Sequence, residues 1–231
     1  MSKRAIILAG GKGTRLRPYT ITLPKPLVPI GDYPILEIIL KQLKNYGFEH
    51  ITLAVNHLAE IIQAFFGDGS KWGLKIDYSN EDKPLSTMGP LKLIQDLPEN
   101  FLVMNGDVLT DLNYEELYQY HIDNNSLFTI SSYTRNEKID YGVLDINDNK
   151  LVNFREKPTY NFDVSMGIYI INRKVLNYIP ENTFFGFDHL MLTLLNNMIY
   201  PLVKKHDGFW LDIGRPDDYA TAIEKFNNNF I

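Results

Sequence analysis

Short apolar runs recur along the first half of the chain, and stretches of helical period separate them. These runs cover residues 4–9, 51–55, 74–79 and 100–107. A continuous apolar run of this length is typical of a strand that is covered on both faces of its sheet. We therefore predict four buried strands in this half.

Helical patterns fill the intervals between these strands. The clearest helix begins at Pro34, which suits a first turn, and ends near Gly47. Its apolar stripe consists of Ile35, Ile38, Ile39 and Leu43. Residues 57–66 predict a second helix, which we expect Asn56 to cap, and residues 89–96 predict a short one. The alternation of strand and helix indicates β-α-β units, which build a parallel sheet covered by helices.

The second half carries more strands, with shorter connections between them. We predict strands at residues 126–134, 141–147, 150–156 and 165–172, and helices at residues 187–197 and 216–228. Neither an internal repeat nor a linker rich in Pro, Gly or Ser divides the chain. We predict one α/β domain over residues 1–231, with a mixed, mostly parallel central sheet flanked by helices. In such folds, ligands bind at the carboxyl ends of the strands.

The composition narrows the functional classes. The chain has 231 residues, of which 45% are hydrophobic and 22% charged, the balance of an ordinary globular protein. A net charge of −5 argues against nucleic acid as a partner. The absence of cysteine excludes disulfides, thiolate chemistry and cysteine-ligated zinc, and it suits a reducing cytoplasm. The apolar run at the amino terminus is too short for a signal peptide, and no run is long enough to span a membrane.

Positive charge is concentrated at the amino terminus. Residues 1–31 contain six Lys or Arg residues and no Asp or Glu. Three glycines, Gly10, Gly11 and Gly13, directly follow the first strand, and glycine lets successive N–H groups converge on an anion. Two known phosphate loops do not fit, because Arg15 stands where the Walker pattern needs glycine and Leu16 where the dinucleotide pattern needs its third glycine. The stretch therefore predicts a phosphate loop of another design, with cationic side chains added.

The stretch LAGGKGTRLRPYTITLPKPLVPIGDYPILE resembles the signature of the sugar-1-phosphate nucleotidyltransferases, also called nucleotide-sugar pyrophosphorylases. The later motifs VMNGD, FREKP, SMGIYIIN and FWLDIG follow in the order of that family, so the resemblance spans most of the chain. It is greatest to the short mannose- and heptose-phosphate guanylyltransferases and to short uridylyltransferases. It implies a Rossmann-like nucleotidyltransferase fold, with a nucleotide-binding half at about residues 1–110 and a sugar-phosphate-binding half at about residues 111–231. The 231 residues contain no hexapeptide repeats, so we expect no β-helix acyltransferase domain.

The resemblance implies a reaction between a nucleoside triphosphate and a sugar 1-phosphate. An oxygen of the sugar phosphate attacks the α-phosphorus in line, and the products are a nucleoside diphosphate sugar and pyrophosphate. Such chemistry requires alignment and charge neutralisation rather than a nucleophilic side chain. The product is expected to serve nucleotide-sugar and cell-surface polysaccharide biosynthesis.

The resemblance also implies roles for individual residues. The nucleotide is expected to bind Leu8, Ala9, Gly10, Gly11, Gly13, Thr14, Glu81 and Ser86. Arg15 would hold the departing pyrophosphate, because its planar donors suit phosphate oxygens, and Lys25 would lie between the two reacting phosphates. Asp107 and Asp212 would bind Mg²⁺, which prefers a few carboxylates together with phosphate oxygens. The remaining cations of this stretch, Lys12 and Arg17, are expected to be solvated.

A second group of residues is expected on the sugar side. Glu156 would accept hydrogen bonds from sugar hydroxyls, and Lys157 would meet the sugar phosphate. Asn105, Gly142 and Gly167 are expected near the sugar, where a larger side chain than glycine would collide with it.

The sequence does not decide which nucleotide base and which sugar the protein binds. Glu81 stands where thymidylyltransferases usually have Gln, and a carboxylate only accepts hydrogen bonds. Guanine offers two neighbouring donors, so Glu81 favours GTP, with UTP, dTTP and CTP as alternatives. Many relatives place Gly where this chain has Ser86, which puts the close approach of the backbone to the base in question. A mannose- or heptose-like sugar is favoured.

A different class of function is also compatible with the fold. A non-catalytic regulatory subunit that binds nucleotide sugars would be expected to lose Arg15, Lys25 or a metal-binding Asp, whereas this chain retains them all. We expect a homodimer if the chain assembles with itself, and neither nucleic acid nor a membrane as a partner.

Overall fold

The computed structural model describes residues 3–225. In this part of the chain the strands are β1 (Lys3–Leu8), β2 (Pro29–Ile30), β3 (Tyr33–Pro34), β4 (Phe48–Val55), β5 (Lys75–Asn80), β6 (Asn100–Asn105), β7 (Val108–Thr110), β8 (Phe128–Lys138), β9 (Val143–Asn147), β10 (Lys150–Arg155), β11 (Thr159–Asn172), β12 (Leu202–His206) and β13 (Trp210–Asp212). The helices are α1 (Ile35–Asn45), α2 (Ala59–Phe66), α3 (Tyr114–Asp123), α4 (Phe187–Asn196) and α5 (Pro216–Lys225).

One seven-stranded sheet organises the domain, in the order β12-β8-β11-β6-β1-β4-β5. Four neighbouring pairs are parallel, namely β12/β8, β6/β1, β1/β4 and β4/β5. Only β11 runs against its neighbours, β6 and β8. The predicted single α/β domain with a mixed, mostly parallel sheet is confirmed.

Two hydrophobic cores cover the two faces of the sheet. In β1, Ala5 and Ile7 point into the larger core and Ile6 points into the smaller one, and all three are completely buried. This alternation follows from the two-residue period of a strand. The predicted stripe of α1, which comprises Ile35, Ile38, Ile39 and Leu43, is also completely buried, in the larger core.

Several helices differ in their bounds from the sequence prediction. The helix predicted at residues 57–66 begins at Ala59, because Leu58 adopts the left-handed conformation with φ 55°. Residues 89–96 form only a short 3-10 helix at Gly89–Leu93, which has a proline in its first turn. Of the helix predicted at residues 216–228, the last three residues lie outside the described residues.

The sequence pattern did not predict α3, β7, β12 or β13. α3 buries only Tyr114, Leu117 and His121, so its apolar stripe is narrow. β7 and β13 have three residues each, and β12 lies at the sheet edge with alternating exposure. Such short or half-exposed strands leave little periodicity to detect.

The outer part of β8 and β11 projects beyond the sheet. There Thr134–Lys138 pairs with Thr159–Asp163, and the hairpin of β9 and β10 lies between them in sequence. We call residues 134–163 the arm. Every residue of the arm is exposed or half-buried.

Within residues 3–225, each helix is too short or too polar to cross a lipid bilayer.

A buried polar network joins α3 to the sheet. The imidazole of His121 is 1% exposed, and its Nε2 lies 3.1 Å from Asn100 Oδ1 while its Nδ1 lies 2.9 Å from Thr129 Oγ1. A neutral ring satisfies both contacts when Nε2–H donates to Asn100 and Nδ1 accepts from the Thr129 hydroxyl. Burial lowers the pKa of His121 to about 4.

This network predicts a pH-dependent stability. Below the ordinary histidine pKa of 6.5, the unfolded chain binds a proton at His121, whereas the folded chain binds it only near pH 4. The contribution of His121 to the free energy of unfolding is therefore fully present above pH 6.5 and is lost as the pH falls towards 4, by about 3 kcal/mol. Denaturant unfolding at several pH values should show a shallower pH dependence for His121→Gln. Equal pH dependence in both proteins would contradict the assignment.

Candidate active site

Four parallel strands end at a cavity of about 410 Å³. Residues at or just beyond the carboxyl ends of β1, β4, β5 and β6 line it, as expected for a sheet of this type. The lining consists of Leu8, Gly10, Gly11, Lys12, Ala54, Asn56, Glu81, Pro84, Ser86, Thr87, Pro90, Asn105, Asp107 and Phe184. We call this space the first cavity.

The glycine loop after β1 presents free backbone donors. Among the described residues, nothing accepts a hydrogen bond from the backbone N–H of Gly10, Gly11 or Gly13. Gly13 has φ 59°, and its carbonyl accepts a 2.7 Å hydrogen bond from Thr20 Oγ1. A Cβ at Gly13 would lie 3.0 Å from Thr20 Cγ2, so both the backbone conformation and the packing require glycine. Unpaired N–H groups beside a cavity are suited to bind an anion.

An ion pair joins residues 1–31, which we call the basic stretch, to the segment just after β6. Lys25, in the short 3-10 helix Lys25–Leu27, pairs through its ammonium with Asp107 Oδ2. The two side chains are only 11% and 21% exposed. The other oxygen, Asp107 Oδ1, is buried and has no hydrogen-bond partner among the described residues. A carboxylate oxygen left without a partner is an available ligand for a cation.

The second predicted metal ligand lies beside the first. β13 pairs with β7 and sets Asp212 opposite Val108, and the Ile213 N–H donates to the Asp107 carbonyl at 3.0 Å. Desolvation by the surrounding protein, and then the neighbouring Asp107 carboxylate, raise the pKa of Asp212, while Lys25 and Arg15 oppose the rise. Two close carboxylates repel each other, and a divalent cation between them would remove that repulsion.

The donor set fits magnesium. Within residues 3–225, no group of three or more His, Cys, Asp or Glu side chains forms a closed metal site. Mg²⁺ is commonly held by one or two carboxylates together with substrate phosphates, and it keeps several waters. Asp107 and Asp212 supply two carboxylates, one of which has the orphaned oxygen, and the first cavity leaves room for phosphates.

Asp212 lines a second cavity, of about 320 Å³. Three arginines line it, namely Arg15, Arg135 and Arg215. Its remaining lining residues are Tyr133, Trp210, Leu211, Asp212, Gly214 and Asp218. Three cationic side chains therefore share this cavity with Asp212.

The predicted base-recognition residues Glu81 and Ser86 also line the first cavity. Glu81 Oε2 accepts a 2.9 Å hydrogen bond from the Leu85 N–H, and burial raises the pKa of Glu81, which that hydrogen bond partly opposes. The Glu81 carboxylate also reaches the glycine loop, since a Cβ at Gly10 would lie 3.1 Å from Oε1. Asn56 does not cap α2, because its Nδ2 donates instead to the Glu81 carbonyl at 3.0 Å.

Ser86 occupies its position with the backbone of a glycine. Its φ is 67°, in the left-handed region that side chains seldom adopt. Ser86 therefore stands in a backbone conformation that favours glycine. The residue lines the first cavity as predicted.

The predicted sugar-side residues lie in two places. Asn105 lines the first cavity and contacts Gly167, which has φ 75°, and a Cβ there would lie 2.5 Å from Asn105 Nδ2. Gly142, Glu156 and Lys157 are exposed on the arm, and none of the three is among the described residues that line either cavity. The structure brings the first pair to the site and does not bring the arm residues to it.

The other predicted residues fall close to the glycine loop. Ala9 is buried beneath it, and Thr14 is exposed at the start of the next 3-10 helix. Lys12 and Arg17 are exposed, as expected for solvated cations, although Lys12 also lines the first cavity.

Comparison with known proteins places the chain in a family. A model described as Nucleotidyl transferase matches residues 4–229. The chain belongs to the nucleotidyl transferase family. The UTP–glucose-1-phosphate uridylyltransferase of Synechocystis is 36% identical over 241 residues, which cover 95% of this chain and 62% of that protein. Mannose-1-phosphate guanylyltransferase catalytic subunit beta of Drosophila pseudoobscura is 35% identical over 236 residues, which cover 95% of this chain and 61% of that protein.

A solved structure shares the fold of this chain. HddC from Yersinia pseudotuberculosis, complexed with GMP-PN, superposes with a TM-score of 0.75 at 28% identity, and the match covers 97% of this chain and 100% of that one. This nucleotidyl transferase chain spans less than two thirds of the length of the two curated relatives above.

Sequence analysis missed several lining residues of this nucleotidyl transferase. Arg135 lies on a strand, and Arg215 follows the WLDIG motif, with no local pattern that marks either. Asn56 was detectable, because it directly follows a predicted strand and such positions gather at the ligand-binding edge. Thr87 and Phe184 come from loops that meet only in three dimensions.

The glycine loop generates a stability prediction. Gly13→Ala forces a left-handed alanine against Thr20, which should lower the free energy of unfolding by about 1–2 kcal/mol. Gly11→Ala is the matched control, because nothing lies within 4 Å of a Cβ at Gly11. Denaturant unfolding of both variants is the measurement. Equal stability of the two variants would contradict the described loop conformation.

Proposed function

We propose that this chain transfers a nucleotidyl group from a nucleoside triphosphate to a sugar 1-phosphate and releases pyrophosphate. One observation carries the proposal: Asp107, paired with Lys25, lines the first cavity together with the glycine loop, and the neighbouring Asp212 lines the second cavity with three arginines. The relatives support it, since they are named as uridylyl- and guanylyltransferases for sugar 1-phosphates.

The reaction is a single displacement at phosphorus. An oxygen of the sugar phosphate forms a bond to the α-phosphorus, and the bond from that phosphorus to the bridging oxygen breaks. The electron pair of the broken bond leaves with pyrophosphate, so no covalent enzyme intermediate and no redox partner are required. The protein contributes position and charge compensation.

The cations act on the repulsion between the reacting anions. Lys25 is held at the end of β6 by Asp107, so it is oriented before substrates arrive. A preoriented cation needs no reorganisation during the reaction, which is the basis of electrostatic catalysis. Arg15 faces the second cavity together with Arg135 and Arg215. We assign the leaving pyrophosphate to that side.

Asp107 and Asp212 would hold the magnesium ion. When bound, Mg²⁺ supplies charge neutralisation on phosphate oxygens. The backbone N–H groups of the glycine loop would bind the triphosphate near these two aspartates. Asp107 therefore serves both Lys25 and the ion, through different oxygens.

We propose GTP as the preferred nucleotide and a mannose- or heptose-like 1-phosphate as the acceptor. Glu81 Oε2 is engaged by the Leu85 N–H, whereas Oε1 has no partner among the described hydrogen bonds. That oxygen is suited to accept from guanine, which donates from N1–H and its amino group. HddC, complexed with GMP-PN, and the guanylyltransferase relatives support this choice, and the uridylyltransferase relative makes UTP the alternative.

A substrate grid tests the function. GTP, UTP, dTTP and CTP are each combined with mannose, heptose, glucose and N-acetylglucosamine 1-phosphates, and pyrophosphate is measured with Mg²⁺ present. Release should require both substrates and should be fastest with GTP. Folded protein that releases no pyrophosphate in any combination would refute the proposed activity.

Lys25 should dominate the turnover rate. We expect Lys25→Ala to lower kcat by about 100- to 1,000-fold, the range seen when an electrostatic stabiliser is removed. Arg17→Ala is the matched control, because Arg17 belongs to the same basic stretch, is exposed and is not among the described lining residues of either cavity. Steady-state kinetics measure kcat for both variants, and circular dichroism checks that both are folded. Near-normal turnover of folded Lys25→Ala would remove its assigned role.

Glu81 should control the choice of base. Glu81→Gln replaces one acceptor oxygen by an amide donor, so kcat/KM for GTP should fall relative to UTP and dTTP. Competition between the nucleotides in one reaction measures the ratio directly. An unchanged ratio would show that Glu81 does not read the base.

A further inference from the structure

One aromatic side chain enters the first cavity from the second half of the chain. Among the described lining residues, Phe184 alone comes from beyond position 107. Its side chain is 61% exposed, which is unusual for a phenyl ring that borders a cavity. It belongs to the segment 183–187, which leads into α4.

The segment around Phe184 is fixed to the predicted base-recognition loop. The Phe185 N–H donates to the Leu85 carbonyl at 3.0 Å, and the Phe185 carbonyl accepts from Met88 at 3.0 Å. The Phe187 N–H donates to Thr87 Oγ1 at 2.8 Å. These hydrogen bonds join residues about 100 positions apart, so Phe184 is held at the base end of the cavity.

Phe184 contributes little to the core. Its neighbours Phe185 and Phe187 pack against the smaller core, and Phe187 stacks on Tyr169 with ring centroids 4.8 Å apart. Phe184 belongs to neither core cluster, and its ring meets only the edge of His189, at 6.4 Å, among the described ring contacts. The fold therefore does not explain an aromatic residue here.

We propose that Phe184 stacks on the nucleobase and closes the first cavity over it. This inference rests on the proposed function and adds a binding residue from the second half of the chain. The phosphates would lie along the N–H groups of Gly10 and Gly11, and the base would lie against residues 81–88, to which the segment of Phe184 is hydrogen-bonded. Aromatic rings stack on any base, because every base has a π-face. Phe184 therefore supplies affinity, and Glu81 supplies selectivity.

Nucleotide titrations of the whole chain test the proposal. For Phe184→Ala, calorimetric Kd values for GTP, UTP, dTTP and CTP with Mg²⁺ should each rise about tenfold. Phe184→Tyr should bind like the wild type, because it keeps the aromatic face. Phe65→Ala is the matched control, since Phe65 is 42% exposed on α2 and is not among the described lining residues of either cavity.

The possible outcomes distinguish a failure of the stacking role from a failure of the proposed function. Wild-type protein that binds no nucleotide would overturn the proposed function and this inference with it. Wild-type protein that binds nucleotide, with an unchanged Kd for Phe184→Ala, would overturn the stacking role alone. A loss for one base only would also overturn it, because stacking acts on all bases.

A fluorescent variant gives an independent readout. In Phe184→Trp, nucleotide should quench an emission component that the wild type lacks, after subtraction of the signals of Trp72 and Trp210. A purely structural role would leave the new emission unchanged by nucleotide. Unchanged emission in a variant that binds nucleotide would contradict contact between residue 184 and the base.

Discussion

The site depends on one partly buried ion pair, between Lys25 and Asp107. It joins the chain just after the glycine loop to the end of β6, so the loop is closed at both ends against the sheet. Loss of one partner from such a pair leaves a charge without compensation, so the pair determines where the loop can lie. The other oxygen of the same carboxylate is buried and has no hydrogen-bond partner among the described residues.

The carboxyl-terminal part of the chain holds this arrangement from the other side. The pairing of β13 with β7 places Asp212 beside Asp107, and Asp218 accepts hydrogen bonds from the backbone just after Asp212. From α5, the Tyr219 hydroxyl donates to the Pro29 carbonyl at 2.8 Å, and its ring lies 4.9 Å from that of Tyr19. The basic stretch is thus held by Asp107 on one side and by Tyr219 of α5 on the other.

Local signals predicted much of this architecture. Apolar runs located the buried strands, and the requirement for positive φ explains why glycine stands at Gly13. Motif resemblance predicted that Asp107 and Asp212 would meet, although 104 positions separate them. The convergence of Arg135 and Arg215, and the attachment of Phe184 to the base end, depend on strand pairing and loop contacts between distant segments. No local pattern encodes these. The sugar-side role of the arm residues Gly142, Glu156 and Lys157 stays a prediction. Magnesium binding, a homodimer and a cytoplasmic location also stay predictions.

The meeting of two phosphates between Lys25 and the paired aspartates is tested most directly by crystallography. The protein would be crystallised with Mg²⁺, a non-hydrolysable analogue of GTP and a sugar 1-phosphate. We predict the α-phosphate against Lys25, the metal between Asp107 and Asp212, and the β- and γ-phosphates between the glycine loop and Arg15. Phosphates bound elsewhere, or aspartates turned away from the metal, would contradict this account.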